Sequence, residues 1–199
     1  RPDHDGRMDV AGLAAELAPV LPKDAVITDR QRLRTYECDG LAHYRVIPAL
    51  VVLPEDAEQV AAVVTACAAR RIPFVARGSG TGLSGGALPH ADGVLIVMSK
   101  MRDILEIDRD NQRAVVEPGV INQDLKTALA EHGLSYPPDP GSVAISTIGG
   151  NVATNAGGMC CVKYGVTKDY VRSLTVVLPD GTLTRLGRNT AKGVAGLDM

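Results

Sequence analysis

The pattern of apolar and polar residues along the chain predicts four helices. In the longer segments, apolar residues recur every three or four positions and therefore share one face. Asp56, followed three residues later by Gln59, forms a capping-box pattern at a helix start. Asn122 is expected to cap the last helix, and Gly133 to end it. The predicted helices cover residues 9–20, 29–36, 56–71 and 122–133.

Short apolar runs closed by Pro, Gly or Asp predict strands between these helices. The run 49–53 is apolar throughout and is followed by Pro54, as expected for a strand buried on both faces. With the helix at 56–71 and the run at 73–76, it predicts a βαβ unit with parallel strands. Two pairs of runs surround the turn sequences 109–112 and 179–181 and predict hairpins. The predicted strands cover residues 49–53, 73–76, 93–98, 104–108, 113–117, 173–178 and 182–186.

These elements predict an α+β protein with two lobes that meet near Pro118. An N-terminal helical segment takes residues 1–48, the first lobe takes 49–118, and the second lobe takes 119–199. A chain of 199 residues is long enough to bury a core of ordinary size.

The composition excludes several classes of function. Nucleic-acid binding uses a basic surface, which a net charge of −2 does not indicate. It also uses aromatic side chains as stacking platforms, and the chain contains no Trp. No apolar run approaches the roughly 18 residues of a membrane-spanning helix, and no signal-peptide pattern is present. We therefore expect a cytoplasmic protein with no nucleic-acid partner and no transmembrane segment.

The four cysteines do not have the spacing of a zinc site. They are expected to be reduced thiols, with a redox role for the neighbours Cys160 and Cys161 as the alternative.

Glycine and proline are concentrated in two segments, and the first contains Arg77-Gly78-Ser79-Gly80-Thr81-Gly82-Leu83-Ser84-Gly85-Gly86 directly after a predicted strand. Glycine has no Cβ and tolerates positive φ, so successive main-chain N–H groups can point into one concavity that binds an anion. Thr81 and Ser84 add hydroxyl donors, and Arg77 is expected to offset the charge of a pyrophosphate. The alternative for this loop is a glycine hinge.

Within this loop, Gly80-x-Gly82-x-x-Gly85 matches the dinucleotide fingerprint of the Rossmann fold. That fingerprint requires a helix whose N-terminus faces the pyrophosphate. Pro89 and Gly93 follow at once and the next element is a strand, which leaves no room for that helix. A Rossmann NAD site is therefore not expected.

The second segment joins a proline-rich stretch, 136–142, to two stretches of glycine and small polar residues, 147–151 and 154–158. Proline fixes φ and removes N–H donors, which predicts a rigid extended wall. The glycines would let the main chain approach a flat or phosphorylated ligand. Two such loops on separate lobes predict one long ligand in a cleft between them. The alternative for the second loop is tight packing of a helix on a sheet.

Taken in order, the stretches 77–86, 137–142, 147–151 and 155–158, followed by Tyr164-Gly165, resemble the FAD-binding domain of the vanillyl-alcohol oxidase and p-cresol methylhydroxylase superfamily. The similarity is greatest to the branch of FAD-linked oxidases formed by glycolate oxidase and D-lactate dehydrogenase, and it runs from about Tyr36 to the end. It implies an α+β, two-lobed FAD-binding domain of the p-cresol methylhydroxylase type, not a Rossmann fold. The second lobe is then expected to be truncated at its C-terminus, and the family's cap domain to be absent from the sequence.

The resemblance also implies which residues hold FAD. Residues 77–85 would cradle the pyrophosphate, and the others would line the flavin and its ribityl chain. Some relatives attach flavin through a His in the first loop. Thr81 and Leu83 stand there instead, so non-covalent FAD is expected. The implied cofactor-binding residues are Arg77, Gly78, Ser79, Gly80, Thr81, Gly82, Leu83, Ser84, Gly85, Pro138, Asp139, Ser142, Thr147, Gly149, Gly150, Asn151, Thr154, Asn155, Gly157, Gly158 and Tyr164.

By the same resemblance, the reaction is oxidation of a D-2-hydroxy acid, of the glycolate or D-lactate type, to the 2-oxo acid by hydride transfer to FAD. The groups that accept the hydroxyl proton and bind the substrate carboxylate belong in this family to the cap domain and C-terminal part. No catalytic residue and no metal ligand is therefore expected in this chain, and the electron acceptor is not identified. The alternatives are a nucleotide-binding module without redox activity and an inactive scaffold fragment.

Overall fold

A computed structural model describes residues 9–187 and contains the predicted helices and strands in the predicted order, together with one short strand and two short α-helices that the sequence did not predict. No helix within that range is long and apolar enough to cross a membrane. The helices are α1 (Val10–Leu17), α2 (Arg30–Leu33), α3 (Ala57–Arg70), α4 (Asn122–Glu131), α5 (Ile148–Thr154) and α6 (Cys161–Tyr164). The strands are β1 (Val26–Ile27), β2 (Leu50–Val52), β3 (Phe74–Arg77), β4 (Val94–Val97), β5 (Ile104–Asp108), β6 (Arg113–Val116), β7 (Ser173–Val177) and β8 (Leu183–Gly187).

The chain forms two compact units. Among the described residues, unit 1 contains residues 9–100 together with Val176–Thr184, and unit 2 contains Met101–Thr175 and residues 185–187. Unit 2 begins well before the predicted division near Pro118, because the hairpin β5–β6 shares a core with α4. Which residues form the two FAD-binding lobes stays a prediction.

Unit 1 is built on a four-stranded sheet with the strand order β1-β2-β4-β3. Strands β2 and β3 are parallel, as predicted, but β4 lies between them and pairs in parallel with both. β1, which the sequence did not predict, adds an antiparallel edge. Every residue of β2 and β4 is buried, which explains why these two runs contain no polar residue.

Helix α3 begins and packs as its sequence predicts. The Asp56 side chain accepts a hydrogen bond from Gln59 N at 2.7 Å and so caps the helix. Its buried face consists of Val60, Val63, Val64, Ala66 and Cys67. Complete burial raises the pKa of the Cys67 thiol to about 11, so this cysteine is a protonated core residue.

In unit 2, helix α4 packs on the hairpin β5–β6. Val120, Leu125 and Leu129 form the buried centre, and apolar residues of both strands surround it. Gly133, with φ of 71°, ends the helix as predicted, and Leu134 N donates to Leu129 O at 3.0 Å.

The predicted cap of α4 is wrong. Asn122 is the first residue of the helix and is completely buried, and no side chain caps this end. Its Nδ2 instead contacts Pro138 O at 3.5 Å. The bridge between Ile121 and Thr147 fixes how the chain enters the helix, so tertiary contacts replace a local cap.

Candidate functional site

The loop that follows β3 exposes main chain. We call residues 78–87 the first glycine loop. None of its residues is buried, and no helix follows it before β4. Gly80 and Gly85 have left-handed backbone angles, with φ of 73° and 77°. At Gly82, Gly85 and Gly86 a Cβ atom would meet nothing within 4 Å, so open space adjoins the backbone.

The hydrogen bonds of this loop involve a few of its carbonyl groups. Gly82 O accepts from Gly40 N at 3.0 Å, Gly85 O accepts from Leu88 N at 3.1 Å, and Arg77 Nη1 contacts Ala87 O at 3.5 Å. In the described part of the chain, by contrast, no main-chain N–H from Ser79 to Ala87 donates to a protein acceptor. The loop therefore presents a run of free donors, which is the arrangement that binds an anion.

Arg77 lies beneath the loop. Its Nη1 donates to Cys38 O at 2.6 Å and makes longer contacts to Tyr36 O at 3.4 Å and Ala87 O at 3.5 Å. A Cβ at Gly80 would overlap the guanidinium, so this glycine is needed for close approach. Burial lowers the pKa of Arg77, and the negative charge of Asp39 opposes that shift. The guanidinium is thus held by protein groups, and its predicted contact with a pyrophosphate stays a prediction.

The start of α5 is occupied by protein contacts. Ile148 N donates to Val120 O and Gly149 N to Pro118 O, both at 2.8 Å, and Gly150 N donates to the capping Thr147 Oγ1 at 3.3 Å. A Cβ at Gly149 would lie 2.7 Å from Pro118 Cβ. These contacts agree with the alternative given for this segment, in which its glycines permit tight packing of a helix. The predicted contacts of these residues with FAD stay predictions.

The proline-rich stretch and the segment after α5 are joined through Asp139. Its Oδ1 accepts a hydrogen bond from Cys160 N at 3.2 Å, and a Cβ at Gly158 would overlap the Asp139 carbonyl oxygen. Hydrogen bonds from the Cys160 main chain and thiol lower the pKa of Asp139, and the positive charge of Lys126 adds to this. The hydrogen bond between the Cys160 thiol and Asp139 raises the pKa of that thiol.

A short second run of free donors lies beside this junction. Within residues 9–187, the N–H groups of Gly157, Gly158 and Met159 donate to no protein acceptor. Nearby in sequence, Asn151 is buried and its Nδ2 has no partner among the described residues. These groups fit a polar ligand better than an apolar one, because buried or main-chain donors are costly to leave unpaired.

The other predicted residues of the second segment have different surroundings. Thr154, Asn155 and Tyr164 are exposed. Asn155 takes the left-handed position after α5, with φ of 48°, and its Oδ1 accepts from Lys168 N at 3.0 Å. Pro138 is buried, and the Ser142 carbonyl accepts from Ser146 N at 2.7 Å. Arg77 to Gly85 lie in unit 1, whereas Pro138 to Tyr164 lie in unit 2.

Sequence reasoning missed the segment that supports the first glycine loop. We call residues 36–41 the backing segment. It accepts the Arg77 guanidinium through two carbonyls and donates Gly40 N to the loop. A Cβ at Gly40 would lie 2.6 Å from Gly82 O and 2.8 Å from Thr81 O. The sequence signal was the turn-forming pair Asp39-Gly40, which shows a turn but not its distant partner.

Residues 48–187 match the family model described as the FAD binding domain. The chain belongs to this family. The predicted family is therefore confirmed, and FAD is the cofactor, as predicted. The free donors of the first glycine loop fit the pyrophosphate of FAD, since main-chain N–H groups and open space are what a phosphate requires.

Relatives in this family include enzymes of 2-hydroxy acids. The chain is 45% identical over 192 residues to the glycolate oxidase subunit GlcD of Escherichia coli (strain K12), covering 96% of this chain and 38% of that protein. It is 42% identical over 181 residues to a D-lactate dehydrogenase of Anaerostipes hadrus, covering 90% of this chain and 38% of that protein. The chain thus spans well under half the length of these relatives.

The solved structure of p-cresol methylhydroxylase with substrate bound has the same fold. It superimposes with a TM-score of 0.79 at 24% identity, over 92% of this chain and 36% of that chain. The predicted fold class, an FAD-binding domain of this type and not a Rossmann fold, is therefore confirmed.

Proposed function

We propose that this chain is the FAD-binding part of a flavin-dependent oxidoreductase that oxidises a D-2-hydroxy acid to the 2-oxo acid. The substrate class rests on similarity to GlcD and D-lactate dehydrogenase over nearly the whole chain. The observation that carries the binding role is the run of N–H groups from Ser79 to Ala87, none of which donates to an acceptor among the described residues. In this proposal the first glycine loop binds the pyrophosphate and the second segment contacts the flavin side of the same FAD.

The chain's own part in the reaction is to bind and orient. Bound FAD supplies the acceptor for the hydride that leaves the substrate α-carbon. The main-chain donors of the first glycine loop hold the diphosphate, and the free N–H groups of Gly157–Met159 are available to the rest of the cofactor. We assign no catalytic residue and no metal ligand to this chain. We assign the base and the carboxylate-binding group to parts of the relatives that this chain does not match, and we do not identify the electron acceptor.

We further propose that FAD is held without a covalent bond. The first glycine loop contains no His, and the side chains nearest its centre are Thr81 and Leu83. A cytoplasmic location is proposed as well, because Cys38, Cys67, Cys160 and Cys161 are free thiols.

The first experiment is a titration of the chain with FAD, followed by flavin fluorescence, with Gly82→Leu as the test variant. Gly82 has ordinary backbone angles and open space at its Cβ, so leucine fits the fold but fills the space beside the free donors. We expect at least about tenfold weaker FAD binding, because the displaced phosphate loses charge-assisted hydrogen bonds. Acid precipitation of the yellow wild-type complex should release the flavin into solution.

The control variant is Gly133→Asn. Gly133 also has open space at the position of a Cβ atom. It takes the left-handed conformation after α4, where asparagine is tolerated. Undiminished FAD affinity in Gly82→Leu, at unchanged thermal stability, would contradict the assignment of the loop. Tight ADP binding without any preference for FAD would favour the alternative of a nucleotide-binding module. A folded chain that binds neither ligand would favour the scaffold alternative.

A further inference from the structure

The first glycine loop and Arg77 beneath it are held by contacts with the backing segment. Its central carbonyl, Gly82 O, is bound by Gly40 of the backing segment, and the side chain beneath it, Arg77, is bound by the carbonyls of Tyr36 and Cys38. Within residues 9–187, the hydrogen bond between the loop and the backing segment therefore uses a carbonyl oxygen of the loop and none of its N–H groups.

We propose that Arg77 and Gly40 are positioning residues that orient the first glycine loop, and that Arg77 is not a ligand of the phosphate groups. Gly40 N holds Gly82 O and Arg77 Nη1 contacts Ala87 O, while no N–H group from Ser79 to Ala87 donates to an acceptor among the described residues. This inference rests on the proposed function, because it concerns how the FAD-binding loop is shaped.

The position of the guanidinium supports this assignment. Nη1 is committed to Cys38 O at 2.6 Å, and the α-carbon of Gly80 faces Nη2, Cζ and Nε so closely that a Cβ would overlap them. The loop thus wraps over the guanidinium. All three carbonyl contacts come from Nη1, whereas Nη2, Cζ and Nε lie against Gly80. A lysine ammonium is a flexible point charge without the planar group that the loop covers, so it cannot reproduce this arrangement.

The local charge also supports it. Asp39 of the backing segment is 7% exposed, and its negative charge acts on Arg77. Since Asp39 Oδ1 is fixed by Leu41 N at 2.9 Å, the carboxylate is a permanent part of the segment. The positive charge of Arg77 is therefore partly balanced within unit 1 before any ligand binds.

Gly40 allows the same idea to be tested without changing a charge. A Cβ at this position would press on Gly82 O and Thr81 O, at 2.6 and 2.8 Å, and both are backbone atoms that must shift. Gly40→Ala should therefore displace the loop while leaving Arg77 in place. Gly141→Ala is its matched control, since a Cβ there meets nothing within 4 Å.

The experiment measures FAD affinity for the wild type, Arg77→Lys, Arg77→Gln, Gly40→Ala and two controls at several NaCl concentrations. Arg32→Gln, which removes an exposed positive charge from the same unit, is the control for Arg77→Gln. Thermal unfolding without FAD shows which variants are folded. We expect Arg77→Lys to lose about tenfold or more in affinity, about as much as Arg77→Gln, with Gly40→Ala also weakened. The salt dependence should stay that of the wild type, because no phosphate contact is removed.

Two results would overturn the inference. One is near-wild-type affinity in Arg77→Lys together with a weaker salt dependence in Arg77→Gln, which identifies Arg77 as a direct phosphate ligand. The other is unchanged affinity in Gly40→Ala. If Arg77→Lys fails to fold, the salt dependence of Arg77→Gln decides whether Arg77 is a phosphate ligand, and Gly40→Ala decides whether the backing segment orients the loop. A wild-type chain that binds no FAD would instead refute the proposed function, and this inference with it.

Discussion

At the scale of single residues, glycines that look alike in the sequence have opposite surroundings. Gly82 borders open space, whereas Gly149 lies against Pro118 and Gly158 against Asp139. A glycine in a ligand-binding loop and a glycine at a packing contact both lack a Cβ for steric reasons, but only the first leaves room for a ligand. Substitution separates the two cases.

Gly149→Ala should destabilise the chain in the absence of FAD. The new methyl group would lie 2.7 Å from Pro118 Cβ and 3.0 Å from Pro118 O, and overpacking of this kind costs about 1–3 kcal/mol, more than the helix propensity that alanine adds. Urea unfolding measures the change, and Gly141→Ala should leave the midpoint unchanged. Wild-type stability combined with weaker FAD binding would mean that Gly149 serves the ligand instead.

At the scale of elements, Asp139 connects the proline-rich stretch to the turn that starts α6. The hydrogen bond that Asp139 accepts from the Cys160 thiol, together with the negative charge of Asp139, raises the pKa of that thiol. Asp139→Asn should therefore lower the pKa of Cys160 and increase its thiolate fraction at neutral pH. We expect several-fold faster alkylation of Cys160 by iodoacetamide, measured by peptide mass spectrometry between pH 7 and 9, while Cys67 stays unreactive because it is buried. Asp180→Asn, in the β7–β8 turn, is the control. An unchanged rate at Cys160 would show that Asp139 does not act on the thiol.

The elements themselves were largely predictable where local sequence determines them. Asp9 and Asp56 cap α1 and α3 through their own side chains, and Gly133 ends α4 with its own backbone angle. Asn122 has an equally good capping sequence, but its side chain is buried near Pro138. The position of β4 between β2 and β3 was not predictable either, because the order of strands depends on packing among segments far apart in sequence.

At the scale of the whole molecule, the candidate site also combines features that follow from local sequence with features that depend on distant contacts. Glycine density indicated a loop with exposed main chain, which the structure has, because open space beside a glycine depends on local backbone geometry. The partners of the glycines could not be read from the sequence: Gly40 contacts Gly82, and Gly149 contacts Pro118, across long intervals of chain. The predicted residues are also divided between two units, so the proposal that one FAD engages both sets requires a measurement on each unit.

Hydrogen exchange provides that measurement. Free amides exchange fast, so Ser79–Ala87 and Gly157–Met159 should be unprotected in the free chain, while Ile148 and Gly149, whose N–H groups are bonded, serve as internal references. We expect FAD to slow exchange in both runs. ADP, which has the pyrophosphate but no flavin, should slow exchange only in the first. Protection of the first run alone by FAD would mean that the second segment does not bind the cofactor, and equal protection of both by ADP would place the pyrophosphate elsewhere than proposed.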